Sequence, residues 1–160
     1  MTDTRPDAIS DRLAHLEELR SAEDVLLRFA AGQDRSDKEL FASSFAEGAE
    51  MDFVQPAAIF GVELDVFKGK ATVVDTVFQN IAALRTSHTV TNQRISLQGD
   101  RATGTALVEA QHVAKWDREQ FLLLKNFYDF DLVKTDGRWA MSRVVIRNIW
   151  YVGRKSVLFR

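Results

Sequence analysis

Acid–base chemistry in this chain has few candidates. One is an aspartate, Asp34. The others are the three histidines, His15, His88 and His112. Leu26, Ala30 and Asp34 are spaced four apart, so on a continuous helix they share one face, and that face is apolar. A carboxylate there needs a partner, because burying it alone is costly. Asp34 also reads as a solvated turn residue or as a cap for the next helix. His88 opens a strand-like run directly after a helical one. It reads either as a functional imidazole or as a strand-end side chain bonded to backbone. Val108, Ala110, His112 and Ala114 share one face of a strand by the period of two. His112 therefore points into the core or into a cavity, and a core histidine satisfied by a hydroxyl is the plainer reading. His15, beside Glu17 and Glu18, reads as a surface residue.

A further strand places Asn126 and Tyr128 on one face, followed by Phe130 and Leu132, with Lys125, Asp129 and Asp131 on the other. An inward amide and phenol beside bulky apolar groups suit a substrate site, and equally suit satisfied polar groups of a core. Arg143 and Arg147 are anion contacts or, more simply, surface ion pairs. Gly99–Gly104 lacks the spacing of a dinucleotide loop, and no phosphate loop, nucleophile elbow or HExxH helix occurs. Ser87 adjoins His88, but neighbours on a strand point apart, which argues against a Ser–His pair.

The elements that must position these residues follow from periodicity. A helix is expected over Asp11–Asp34, with a break near Ser21, ended by Gly32 and the polar residues after it. A second helix is expected over Lys38–Ala46, closed by Gly48. Glu50–Val54 reads as a short strand limited by Pro56. Residues 59–67 read as loop with extended pieces, and Lys70–Leu84 as a third helix with Val73, Val74, Val77, Ile81 and Leu84 inward. Four long strands follow, Ser87–Gln98, Ala102–Trp116, Gln120–Lys134 and Trp139–Tyr151. Hairpin signals at Gly99-Asp100 and Asp136-Gly137 join two of the three pairs. Helices followed by an antiparallel meander make an α+β fold, and a curled sheet covered by helices encloses a natural ligand pocket. Residues 1–10 are expected to be flexible, 11–151 to form one domain, and 152–160 to serve as a lid or subunit contact.

Composition narrows the function. A chain of 160 residues is one domain. Lys plus Arg, 21, nearly balance Asp plus Glu, 23, which argues against a broad nucleic-acid-binding face. With no cysteine, disulfides and thiol chemistry are excluded, and a three-histidine metal site would consume every histidine. No apolar run is long enough to span a bilayer, and the polar N-terminus does not read as a signal peptide, so a cytoplasmic location is expected. Eleven phenylalanines either fill a core or line an apolar pocket.

The order helix–Asp34–helix–strand–helix–His88–long strands, ending in Asp136-Gly137-Arg138-Trp139, resembles the SnoaL-like branch of the NTF2-like superfamily. The resemblance runs from Glu17 to Tyr151. It is nearest to the group of scytalone dehydratase, hexachlorocyclohexane dehydrochlorinase and the bile-acid 7α-dehydratases. Gln33-Asp34-Arg35 and Thr86-Ser87-His88-Thr89 match that group's aspartate and histidine positions, and His112 matches a second histidine. Asn126 and Tyr128 fall on its substrate-contacting strand. Gln33 and Phe53 stand where the dehydratase has tyrosines, which implies a more apolar pocket here.

The resemblance implies a cone-shaped α+β barrel, with a curved antiparallel sheet packed against three N-terminal helices. It also implies a cofactor-independent lyase of dehydratase type, with no metal, acting on a small apolar organic substrate. Asp34 would fix the tautomer of His88, whose other nitrogen would take a proton from carbon α to a carbonyl. His112, Tyr128 or Asn126 would hold or protonate the leaving oxygen, and Phe53 would contact substrate. Group members are homo-oligomers, dimers or trimers. The competing readings are a ketosteroid-isomerase-like isomerase or polyketide cyclase, a carrier of apolar ligands, and a non-catalytic β subunit of a ring-hydroxylating oxygenase.

Overall fold

A computed structural model of the chain describes residues 5–158, with side chains from residue 8 onward. It contains four α-helices, α1 (Arg5–Asp34), α2 (Lys38–Ala42), α3 (Val54–Ile59) and α4 (Lys70–Ile81). Six strands accompany them, β1 (Phe45–Asp52), β2 (Phe67–Lys68), β3 (Leu84–Gln98), β4 (Arg101–Ala114), β5 (Phe121–Thr135) and β6 (Arg138–Gly153). A 3-10 turn, Lys155–Val157, follows.

The first helix starts earlier than its spacing suggests and has no break at Ser21. Nothing between Asp7 and Ala31 is a glycine or proline, so no residue is present to interrupt it. Gly32 does not end it. It lies inside α1, where a Cβ would stand 2.5 Å from the backbone nitrogen of Phe41. The missing side chain lets α2 close directly onto α1. Asp37 caps α2 by accepting a hydrogen bond from the Leu40 amide at 2.9 Å.

The second helix is shorter than expected, and Phe45, Ala46 and Gly48 belong to β1. The cause is tertiary. The Arg28 guanidinium binds the carbonyl and the hydroxyl of Ser43, and the Met141 amide donates to the Ser44 carbonyl at 2.7 Å. These bonds draw the chain out of the helix and into the sheet. Residues 54–59, read as the end of a strand and the start of a loop, form α3 instead.

The sheet order is β2-β1-β6-β5-β4-β3. The meander β3–β6 is antiparallel as expected, but β1 lies parallel to β6. A parallel neighbour needs a long crossover, and everything from α3 to β5 supplies it. The sheet is curved but not a closed barrel, since β2 and β3 are edges. α1 packs on β3 and β6, and α4 on β1, β2 and β3, so helices close the cone between the edges.

The core lies between these layers. Phe29 and Phe41 stand 5.1 Å apart, and each meets Phe45. Phe130 lies over Gly104, where a Cβ would stand 2.3 Å from its ring. α1 is tied to the last hairpin because Glu18 accepts from Trp139 Nε1 at 2.9 Å and from Lys134 Nζ at 2.5 Å. That tie sets the axial position of α1 and hence of Asp34 at its end.

The tail is seated. Val157 is buried beside Phe60 and Leu122, and Lys155 Nζ donates to the Phe60 carbonyl at 3.1 Å. Residues 1–4 and the pair Phe159 and Arg160, parts of the segments read as a flexible N-terminus and as a lid or contact, lie outside the described residues. No helix among the described residues is long and apolar enough to cross a membrane.

Candidate active site

The cone holds a cavity of about 270 Å³, near the lower end of small-molecule pockets. Its wall is mostly apolar, with Phe29, Met51, Phe53 and Phe67 among the lining side chains. Polar groups enter from four directions: Gln33 at the end of α1, Thr76 and Asn80 on α4, His88 and His112 on neighbouring strands, and Asn126 with Tyr128 on β5. Phe41, Phe45 and Phe130 belong to the core beneath it.

Asp34 and His88 meet because the end of α1 lies against the start of β3. His88 Nδ1 is 2.6 Å from Asp34 Oδ1, and the backbone N–H of His88 donates to Oδ2 at 2.7 Å. The Thr86 hydroxyl donates to Oδ1 at 2.9 Å. The period of two sets Thr86 and His88 on the same side of β3, so one carboxylate receives both. Burial alone pushes the Asp34 carboxyl up. The hydrogen bonds and charge of His88, together with the Thr86 hydroxyl, outweigh that and hold it below its usual range. Asp34 is therefore an anion at neutral pH, and it accepts the Nδ1 proton of His88. In the neutral ring, Nε2 is then left with a free lone pair. The His88 side chain is only 2% exposed.

His112 is buried, with its ring centroid 5.9 Å from that of His88. Burial, and next the charge of His88, push its pKa down to about 3. It is a neutral imidazole under all ordinary conditions, and its Nδ1 has no partner among the described residues. Tyr128 is pushed strongly up, first by burial and then by the Asp34 charge. It stays a protonated phenol. Its ring packs edge-on against Phe29 at 5.9 Å. Asn126 is buried at the cavity wall. Phe53 lines the cavity at the start of α3.

All six residues singled out in the sequence, Asp34, His88, His112, Asn126, Tyr128 and Phe53, thus gather at one place: five line the cavity, and Asp34 stands behind His88. Arg143 and Arg147 do not join them. They pair with Asp131 and Asp129. His15 is exposed. Thr76, Asn80 and the role of Thr86 were not foreseen. Thr76 and Asn80 precede Val77 and Ile81 of the apolar stripe, and that i, i+4 polar pair was the available signal. Among the described residues no three His, Asp or Glu side chains gather as metal ligands.

Known proteins share this architecture. A crystal structure of a protein provisionally named a scytalone dehydratase, from Novosphingobium aromaticivorans DSM 12444, superposes with a TM-score of 0.75 at 22% identity. The match covers 88% of this chain and 89% of that one. The hexachlorocyclohexane dehydrochlorinase LinA-type3 of Novosphingobium barchaimii LL02 superposes with a TM-score of 0.72 at 20% identity, covering 93% and 98%. These likenesses show the fold. In sequence, the chain is 26% identical over 141 residues to the Terrestric acid biosynthesis cluster protein E of Penicillium crustosum, covering 84% of this chain and 85% of that protein. The sequence profile of the SnoaL-like domain matches residues 14–145, and the chain belongs to that family.

Proposed function

We propose that this protein is a lyase that eliminates water, or a comparable leaving group, from a small and largely apolar carbonyl compound. The observation that carries the reading is the Asp34–His88 pair at the wall of an otherwise apolar cavity. Asp34 holds the Nδ1 proton, and Nε2 of His88 takes the proton from carbon α to the carbonyl. The electron pair of that C–H bond forms the new double bond, and the bond from the β carbon to oxygen breaks. The imidazolium returns its proton to the departing oxygen, so water leaves and His88 is restored. Charge that gathers on the carbonyl oxygen is met by neutral donors, Tyr128 and Asn126. His112, neutral and next to His88, completes the polar wall. General acid–base catalysis of this kind contributes about 10²–10⁴-fold, and the closed apolar wall supplies orientation.

Similarity to a dehydratase-named protein and to a dehydrochlorinase supports elimination over other uses of the same base. A panel of β-hydroxy carbonyl compounds tests it by mass. Loss of one water from a substrate, abolished in His88→Ala, is the expected result. A product of unchanged mass would assign isomerisation or cyclisation to the pair instead. Tight binding without turnover would make the protein a carrier. The reading includes a homo-oligomer, supported by the exposed apolar side chains Phe127, Ile149 and Val152, and sedimentation measures it.

A further inference from the structure

Asn126 and Asn148 are direct partners across β5 and β6. The ladder is irregular beside them. Lys125 pairs with Trp150 and Asn126 with Asn148, so Ile149 is the extra residue of a bulge. The bulge re-aims Asn148. Its Nδ2 lies 2.9 Å from Asn126 Oδ1, 3.2 Å from the Lys125 carbonyl and 3.0 Å from the Trp150 carbonyl. Backbone carbonyls only accept. The Asn148 amide therefore has one tenable orientation, with nitrogen toward both of them. From that orientation it donates to Asn126 and fixes the second amide in turn: Oδ1 of Asn126 faces Asn148, and Nδ2 faces away.

That Nδ2 is buried and has no partner among the described residues, and Asn126 borders the cavity. Leaving a buried donor unbonded costs about 1–3 kcal/mol. A ligand oxygen placed against it would recover much of that. Gln55 of α3 braces the arrangement, because its Oε1 accepts from the Asn148 backbone amide at 2.8 Å.

We propose that Asn148 is a positioning residue that locks Asn126 with its N–H side toward the cavity, so the site selects ligands carrying an oxygen acceptor there. The inference rests on the cavity being the substrate site, and it adds a residue that does not itself line that cavity. It converts one amide orientation into a preference for carbonyl over hydrocarbon.

The test is a matched pair of probes, 1-indanone and indane, which differ by one carbonyl oxygen. Wild-type protein is expected to bind the ketone about five-fold more tightly, the worth of one neutral hydrogen bond. Asn148→Ala frees the Asn126 amide to rotate. It should lower that ratio, leaving only what Tyr128 contributes, and leave indane affinity unchanged. A purely structural role would weaken both probes together. Should Asn148→Ala fail to fold, the side-chain amide resonances of Asn126 in wild-type protein decide. They should move on adding 1-indanone and stay still with indane. Absence of any ketone preference in the wild type, an unchanged ratio in the variant, or equal response to both probes would overturn the proposal. Neither probe carries a leaving group, so the ratio is a binding measurement independent of turnover. Failure to find any elimination would therefore count against the lyase reading alone.

Discussion

His88 Nδ1 lies 2.6 Å from Asp34 Oδ1 while the backbone N–H of the same residue donates to Oδ2 at 2.7 Å. One residue thus grips both oxygens of one carboxylate, which leaves the imidazole little freedom to rotate away from the cavity. Replacing Asp34 by Asn puts an amide where a charge was and allows the ring to take the other tautomer. The expected result is a loss of about 10²-fold or more in kcat/KM, with His88→Ala at least as severe. Steady-state kinetics on any accepted substrate measures it, and full activity in both variants would contradict the pair.

Thr86 is the third hand on that carboxylate, donating at 2.9 Å. Thr86→Val keeps the shape and removes the donor. Asp34 holds its low pKa partly through this bond, so its protonation should move to higher pH in the variant. The acid limb of the rate profile should shift the same way, with a loss of about 1.5–3 kcal/mol in stability at neutral pH, the range for bonds to a charged group. A pH–rate profile and urea unfolding check both.

His112 makes stability fall in mild acid. Its folded pKa is near 3, against about 6.5 in the unfolded chain. Between those values the unfolded state binds the extra proton, so its contribution is full above about pH 6.5 and is lost as pH falls toward 3. The greatest slope from one such group is about 1.4 kcal/mol per pH unit. Urea unfolding from pH 7.5 to 4.5 should be flatter for His112→Phe than for the wild type.

Gly32→Ala sets a helix gain against a clash. Alanine in a helix interior is favoured by about 1 kcal/mol. The new methyl would sit 2.5 Å from the Phe41 amide nitrogen, and backbone does not yield as a flexible side chain does. Overpacking costs about 1–3 kcal/mol, so net destabilisation is expected in urea unfolding, with activity changed because α1 carries Asp34.

The class of the fold and the inward placement of the candidate residues were legible in the sequence, while several of the elements and pairings that carry them were not. Leu26, Ala30 and Asp34 share a helical face by local spacing, and Val108, Ala110 and His112 share a strand face the same way, so both inward directions could be read from short windows. Gly32 inside α1, Phe45 in a strand and β1 parallel to β6 could not be read so. Each depends on a contact outside the local window: Phe41 against Gly32, Arg28 and Met141 against the two serines, and the last strand of the chain beside the first. The part played by Thr86 is not legible in the sequence, because a threonine at a strand position is ordinary until an aspartate stands opposite. Nor is that of Asn148, because the bulge at Ile149 breaks the period of two that assigns faces.

The most direct test of the account is the protonation pattern of the His88 ring, read by ring-nitrogen NMR at a pH where the ring is neutral. The account predicts the proton on Nδ1 and a bare Nε2 in the wild type, with that preference lost in Asp34→Asn. A neutral His88 carrying its proton on Nε2 in the wild type would contradict it, because the nitrogen turned to the cavity would then have no lone pair to act as base.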